Sequence, residues 1–119
     1  MTLDLTAAEE TITVLLADDD SLPFEINDAA GLTPSTSMAA VVFTLYILPN
    51  KYSANAAALI TKADATITGR DNTAWTGAFP LTPEDKAALI VGTYWYRVHM
   101  LESGGADTTV LRGPLVVSG

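Results

Sequence analysis

The chain reads as short apolar segments separated by turn chemistry, with little helical periodicity. Residues 10–17, ETITVLLA, alternate so that Ile12, Val14 and Leu16 share one face and threonines occupy much of the other. ADDDS forms a turn, and in SLPFEIND, residues 21–28, Leu22, Phe24 and Ile26 again fall on one side. A Gly/Pro/Ser/Thr loop, AAGLTPSTS, leads into MAAVVFTLYILPN at residues 38–50. This is the most apolar segment, β-branched and aromatic on both faces. It predicts a central strand covered on both sides and ended by Pro49-Asn50.

SANAAALITKADA, residues 53–65, fits one or two helical turns or a loop entering a short strand. ATITG and AWTGAFPL read as strands separated by the turn RDNT. In LTPEDKAALIVG, Thr82 is placed as an N-cap with Pro83 at the first helical position and Asp85 at the capping-box position. Gly92 stops what can only be a short helical turn, over about residues 82–90. GTYWYRVHML and TTVLRGPLVV then form a hairpin around ESGGAD. About seven short strands at this spacing predict an all-β, antiparallel, immunoglobulin-like β-sandwich. Residues 1–10 would be an N-terminal arm and residues 11–119 a single domain.

Composition narrows the function classes. With 119 residues the chain suits one domain, and with no cysteine it has neither disulfides nor thiolate metal sites. Fourteen acidic residues against six basic ones give a net charge of −8, which argues against nucleic-acid binding and suits a partner with a basic rim. MTLDLTAAEE lacks the features of a signal peptide. The longest apolar run, AAVVFTLYIL, is too short for a membrane helix. These features predict a soluble, unprocessed protein.

Candidate chemistry concentrates in residues 92–103. Alternation assigns Tyr94, Tyr96, Val98 and Met100 to a core face and Thr93, Trp95, Arg97 and His99 to an outer face suited to solvent or to a protein contact. His99 is the only histidine, with no cysteine or second histidine to build a metal site or to serve a nucleophile. Trp95 and Arg97 are residue types that anchor interfaces. The Asp18–Asp20 run could offer oxygens to calcium. However, the fifth position counted from Asp18 is Leu22 and no glycine follows, so a solvated acidic turn is expected. Glu84-Asp85 fits the start of a helical turn, and Glu9-Glu10 sits at the foot of a strand; neither resembles a split-pKa catalytic pair. No enzyme activity and no cofactor are expected.

The C-terminal half, FPLTPEDKAALIVGTYWYRVHMLESGGADTTVLRGPLVV, resembles the small immunoglobulin-like domains of tailed-bacteriophage virion proteins, which include the N-terminal domain of baseplate upper proteins. Leu89, Gly92, Tyr94, Tyr96 and Val98 match the family's L-x-x-G-x-Y-x-Y-x-V strand, and Leu111, Gly113, Leu115 and Val117 match its closing strand. Residues 11–28 resemble the family's opening hairpin more loosely. Tyr94 falls where immunoglobulin-like domains place a tyrosine-corner residue, and Tyr96 where many carry cysteine.

The resemblance implies a virion structural role. Because the chain ends two residues after its last strand, it implies a capsid decoration (cement) protein that bridges subunits of the major capsid protein, as a homo-oligomer and commonly a trimer. The polar segments MTLDLTAAEE and GLTPSTS would be its arms. Two alternatives remain: a tail, neck or baseplate adaptor contacting other virion proteins, and a carbohydrate-binding module stacking sugars on Trp75, Trp95 and Tyr46 or Tyr52. No nucleic-acid or membrane partner is implied. The apolar AAVVFTLYIL and the threonine-rich closing strand would be aggregation hazards if left as uncovered edges, which favours assembly.

Overall fold

A computed structural model describes residues 10–26, 38–102, 105 and 107–119. Eight strands form in chain order: β1 (Ile12–Leu15), β2 (Asp20–Glu25), β3 (Val41–Leu48), β4 (Ile60–Ala63), β5 (Thr68–Asp71), β6 (Thr76–Leu81), β7 (Gly92–Glu102) and β8 (Asp107–Ser118). They make two sheets, one in the order β1-β8-β7-β3-β4 and the other β2-β6-β5. Placing the third, seventh and eighth strands in one sheet, with the second, fifth and sixth in the other, is the immunoglobulin-like partition. Here the first strand has moved to the edge of the larger sheet.

One sequence expectation changes at that edge: β1 does not form a hairpin with β2. It pairs with β8 in parallel, Ile12 opposite Leu115 and Val14 opposite Val117, while β2 runs antiparallel to β6 in the other sheet. The physical reason lies in the faces of β1. Val14 must be buried, and Ile12 and Leu16 pack against the same core. Joining β8 buries them while the acidic turn swings β2 across to the opposite layer.

The core lies between the sheets. Leu22, Phe24 and Phe79 from the small sheet meet Phe43, Leu45, Ile47, Tyr96, Val98, Leu115 and Val117 from the large one. In the absence of cysteine, aromatic contacts span the layers. The Phe24 ring lies 5.5 Å from Phe43 across the layers and 5.4 Å from Phe79 within its own sheet, and Trp75 meets Phe43 edge-on at 6.3 Å. Trp75 reaches that position from a left-handed backbone conformation, φ 58°. Asp71 sets up the preceding turn by accepting hydrogen bonds from the amides of Thr73 and Ala74.

The most apolar strand is internal but only partly covered on its outer side. β3 sits between β7 and β4, with Leu48 buried and Val42 exposed. β8 is also internal. The free edges are instead short strands: β1 has only four residues, β2 is interrupted by Pro23, and β4 and β5 carry Lys62 and Arg70. The two segments that the sequence marks as needing a neighbouring copy are therefore covered within the chain.

One end of the sandwich is closed by ion pairs around the helical turn. Thr82 and Asp85 form the reciprocal capping box: the Thr82 amide donates to Asp85 Oδ2 at 3.0 Å and the Asp85 amide donates to Thr82 Oγ1 at 3.2 Å. The turn is shorter than expected, a single 3-10 turn over Asp85–Ala88, because Leu89 leaves it in an extended conformation to enter the core. Lys62 of β4 donates to Asp85 at 3.0 Å. Lys86 is fully buried and donates to the carbonyl oxygens of Leu15 and Asp18 and to Asp20 Oδ2, the last two at 2.5 and 2.6 Å. The oxygens of the acidic turn thus converge on a lysine ammonium, and the cation held there is part of the chain itself.

This end is expected to be acid-sensitive. Partial burial opposes ionisation of Asp20, but hydrogen bonds from Lys86 and from the Leu15 amide outweigh it and hold the carboxyl below its ordinary value. The Thr82 amide does the same for Asp85, against partial burial and with help from Lys62. Lowered folded pKa values mean that the unfolded chain binds more protons. The stabilisation is complete above the unfolded carboxylate value of about 3.9 and is lost as pH falls through the folded values. Urea midpoints should hold between neutral pH and about 5 and then drop steeply below about 4. Asp20→Asn and Asp85→Asn should each flatten that drop.

Candidate functional site on the outer face of the large sheet

The residues singled out by alternation lie on the outer face of β7, but the structure does not leave them open. In register, Trp95 stands opposite Leu48 of β3 and Pro114 of β8, Arg97 opposite Tyr46 and Arg112, and His99 opposite Thr44 and Thr109. Residues 49–59, the connection from β3 to β4, fold back toward this face and carry a 3-10 turn at Asn55–Ala57. Trp95 is 8 % exposed. Arg97 and His99 are half-buried, and of the four only Thr93 is exposed.

Arg97 fastens the connection to the sheet. One guanidinium nitrogen donates to Asn55 Oδ1 at 2.7 Å and to the Ser53 carbonyl at 3.3 Å, and the other donates to the Lys51 carbonyl at 3.3 Å. A guanidinium can only donate, so Asn55 must present its oxygen to Arg97 and its amide nitrogen to the other side. That nitrogen lies 3.1 Å from His99 Nε2. In the neutral ring Nε2 is then an acceptor and the proton sits on Nδ1, directed at Asp107 Oδ1 at 3.0 Å. Thr109 Oγ1 completes the cluster, 3.1 Å from Nε2, and Tyr46 packs edge-on against the imidazole at 5.4 Å.

Asp107, His99 and Thr109 therefore stand in the order of a carboxylate–imidazole–hydroxyl relay. Acyl transfer also needs donors converging where an oxyanion would form. The polar hydrogens that gather here, those of Asn55 and Arg97, are directed into His99 and into the carbonyls of the connection. What the arrangement does is join three pieces of chain: the β3–β4 connection, β7 and the start of β8. Arg97→Ala should cost about 1–2 kcal/mol through the lost hydrogen bonds and should speed hydrogen exchange at Asn55–Ala57 with little change in the β7–β8 ladder.

The remaining sequence candidates have fold roles. The Tyr94 hydroxyl bonds both the amide and the carbonyl of Ile90, at 3.1 and 3.2 Å, which is a tyrosine corner. The Tyr96 hydroxyl donates to the Glu10 carbonyl at 2.8 Å, and Val98, Leu115 and Val117 are core. Leu111 packs against the core, and Gly92 opens β7 with φ 157°. A sugar platform on the two tryptophans is not formed. Trp75 is buried in the core and Trp95 is buried on the outer face between Leu48 and Pro114, which leaves Tyr52 as the broadly exposed aromatic among the described residues. The arms expected at residues 1–10 and 31–37 lie outside the described residues except for Glu10.

With the centre of the face closed, its exposed apolar side chains lie toward the ends. Val42 and Leu101 pair at the hairpin end, and Leu15, Ile90 and Val91 lie at the other, while the connection itself exposes Tyr52 and Leu59. Sequence alternation could have flagged Ile90 and Val91, since two adjacent apolar residues before a strand-opening glycine cannot both face a core. Lys86 and Asn55 carried no comparable signal. Compared with known proteins, the chain matches no protein-family model and no curated protein sequence.

Proposed function

We propose that the chain is a structural component of a tailed-bacteriophage virion: a capsid decoration protein that binds the outer shell and stabilises the mature capsid by bridging subunits of the major capsid protein. The observation that supports the reading is the fold role of the motif carrying the resemblance. Tyr94 makes the corner, Tyr96 crosses to the first strand, Leu89, Val98, Leu115 and Val117 fill the core, and Gly113 gives Tyr96 its path. The resemblance thus rests on side chains that build an immunoglobulin-like sandwich. The His99 cluster fits the same reading, because it fastens a loop and leaves binding to the surface. On this proposal the contribution is buried interface area in a homo-oligomer, a trimer by analogy with such proteins, acting on one form of the shell.

Stoichiometry and shell preference test it. A decoration protein should be present at copies on the order of hundreds per particle and should bind expanded capsids in preference to procapsids. A second reading, an adaptor of the tail, neck or baseplate, follows from the likeness to baseplate upper-protein domains and predicts a copy number in threefold or sixfold multiples. Equal binding to expanded capsids and procapsids would sink the decoration reading.

A further inference from the structure

We infer that the end of the sandwich bearing Leu15, Ile90 and Val91 is a docking surface for a protein with an apolar centre and a lysine- and arginine-rich rim. The inference deepens the virion reading by naming the surface that would meet the partner and its chemistry.

These side chains are 40, 74 and 61 % exposed, and the backbone brings them together. Leu15 pairs with Ser118, and the Leu16 amide donates to the Ser118 carbonyl at 2.9 Å. Gly92 pairs with Val117, which sets Val91 beside Ser118. Val91 Cγ2 would lie 3.3 Å from a methyl group placed on Gly119. Ile90 is clamped by the Tyr94 hydroxyl through both its amide and its carbonyl. The apolar residues therefore stand on a fixed backbone, and little ordering free energy opposes their burial in a complex.

Charge selects the partner. Asp18 and Asp19 in the β1–β2 turn and Glu84 before the 3-10 turn are exposed carboxylates, and Lys86 ties the two turns together. The cations of this region, Lys62 and Lys86, are already paired with Asp85 and Asp20. An apolar centre with an acidic rim is left. A second copy docking through the same end would bring these carboxylates against one another, which is unfavourable. Anionic lipid and nucleic acid would be repelled by the same rim. A protein surface with a cationic rim is complementary.

The test uses the full chain and has two arms. In the first, amide chemical shifts are followed while a synthetic amphipathic peptide, leucine on one face and lysine on the other, is added. Perturbations should fall on Leu15–Asp19 and Glu84–Val91, and they should weaken with added salt. They should be lost in Ile90→Glu and retained in Val42→Glu, both changes at exposed sites that should leave the fold intact. Perturbations centred on Val42 and Leu101, or none at all, would overturn the inference. In the second arm, expanded phage capsids are the probe, and Ile90→Glu should bind at least about tenfold more weakly than the parent and Val42→Glu. Equal binding by Ile90→Glu and the parent overturns the docking surface. Failure of the parent to bind capsids, with the peptide still mapping to this end, overturns the capsid-decoration reading and leaves the surface standing.

Discussion

Lys86→Met is expected to destabilise the fold by about 3–4 kcal/mol, the largest effect of any single substitution considered for this chain. Methionine fits the space, so the loss is electrostatic. The Leu15 and Asp18 carbonyls and the Asp20 carboxylate would lose the ammonium that they now share at a site where the lysine side chain is 0 % exposed. A carboxylate that remains about one-quarter exposed can regain some water, which places the value toward the lower half of the range for broken buried pairs. At roughly 4 °C per kcal/mol for a domain of this size, Tm should fall by more than 10 °C. Asp20→Asn strands the buried ammonium without its counter-charge and should also be costly. It should cost less than Lys86→Met, because the ammonium keeps both carbonyls and an amide oxygen can still accept from the Leu15 amide, now 3.1 Å from Asp20. Thermal melts of the two variants decide the matter. If Lys86→Met melts no lower than Asp20→Asn, the carbonyl contacts carry no weight.

The second large effect is expected at a glycine. A Cβ on Gly113 would lie 2.2 Å from the Glu10 carbonyl oxygen and 2.9 Å from the Tyr96 hydroxyl. Gly113 stands opposite Tyr96 across β7 and β8, and the tyrosine leans over it to donate to Glu10. The glycine is required because a side chain crosses above it and the backbone of Glu10, just before the first strand, lies beside it. Gly113→Ala must push away either Tyr96 or the Glu10 backbone, so about 3 kcal/mol should be lost. Tyr96→Phe alone removes one hydrogen bond and should cost about 1 kcal/mol. Urea unfolding of both single variants and of the double variant gives the coupling. The double variant should be less destabilised than the sum, because removing the hydroxyl relieves part of the overlap. Strict additivity would mean that the Glu10 carbonyl and the Tyr96 ring, not the hydroxyl, carry the overlap.

Both sites show how unevenly the structure could be read from the chain. Gly113 belongs to the closing-strand pattern, so its position was visible in the sequence while its reason was not. Lys86 lies in the predicted helical turn with no local pattern to set it apart. Its partners come from a turn more than sixty residues earlier, and no local pattern encodes such a meeting. The acidic run that raised calcium was expected to be a solvated turn, and Asp18 and Asp19 are exposed there. Asp20, however, opens β2, and its carboxylate, with the Asp18 carbonyl, faces inward onto an ammonium.

The outer face of β7 gives the same lesson about function. Period-two alternation placed Trp95, Arg97 and His99 on the side away from the core, and the register agrees. Alternation says nothing about what lies over that side. The β3–β4 connection returns to it, and Arg97 and His99 hold Asn55 by its oxygen and its nitrogen. A cluster with the look of an interface is therefore largely satisfied within the chain.

The sequence by itself determined the all-β class, most strand positions, the capped turn at Thr82 and the two faces of β7. These depend on interactions between residues close in the chain: alternation, turn propensity and side-chain capping. The tertiary structure alone decided the partner of β1, the burial of Trp95 and Lys86, and which apolar side chains remain exposed. Those outcomes depend on contacts between distant segments, where burying Val14 or enclosing an ammonium outweighs any preference that the local sequence expresses.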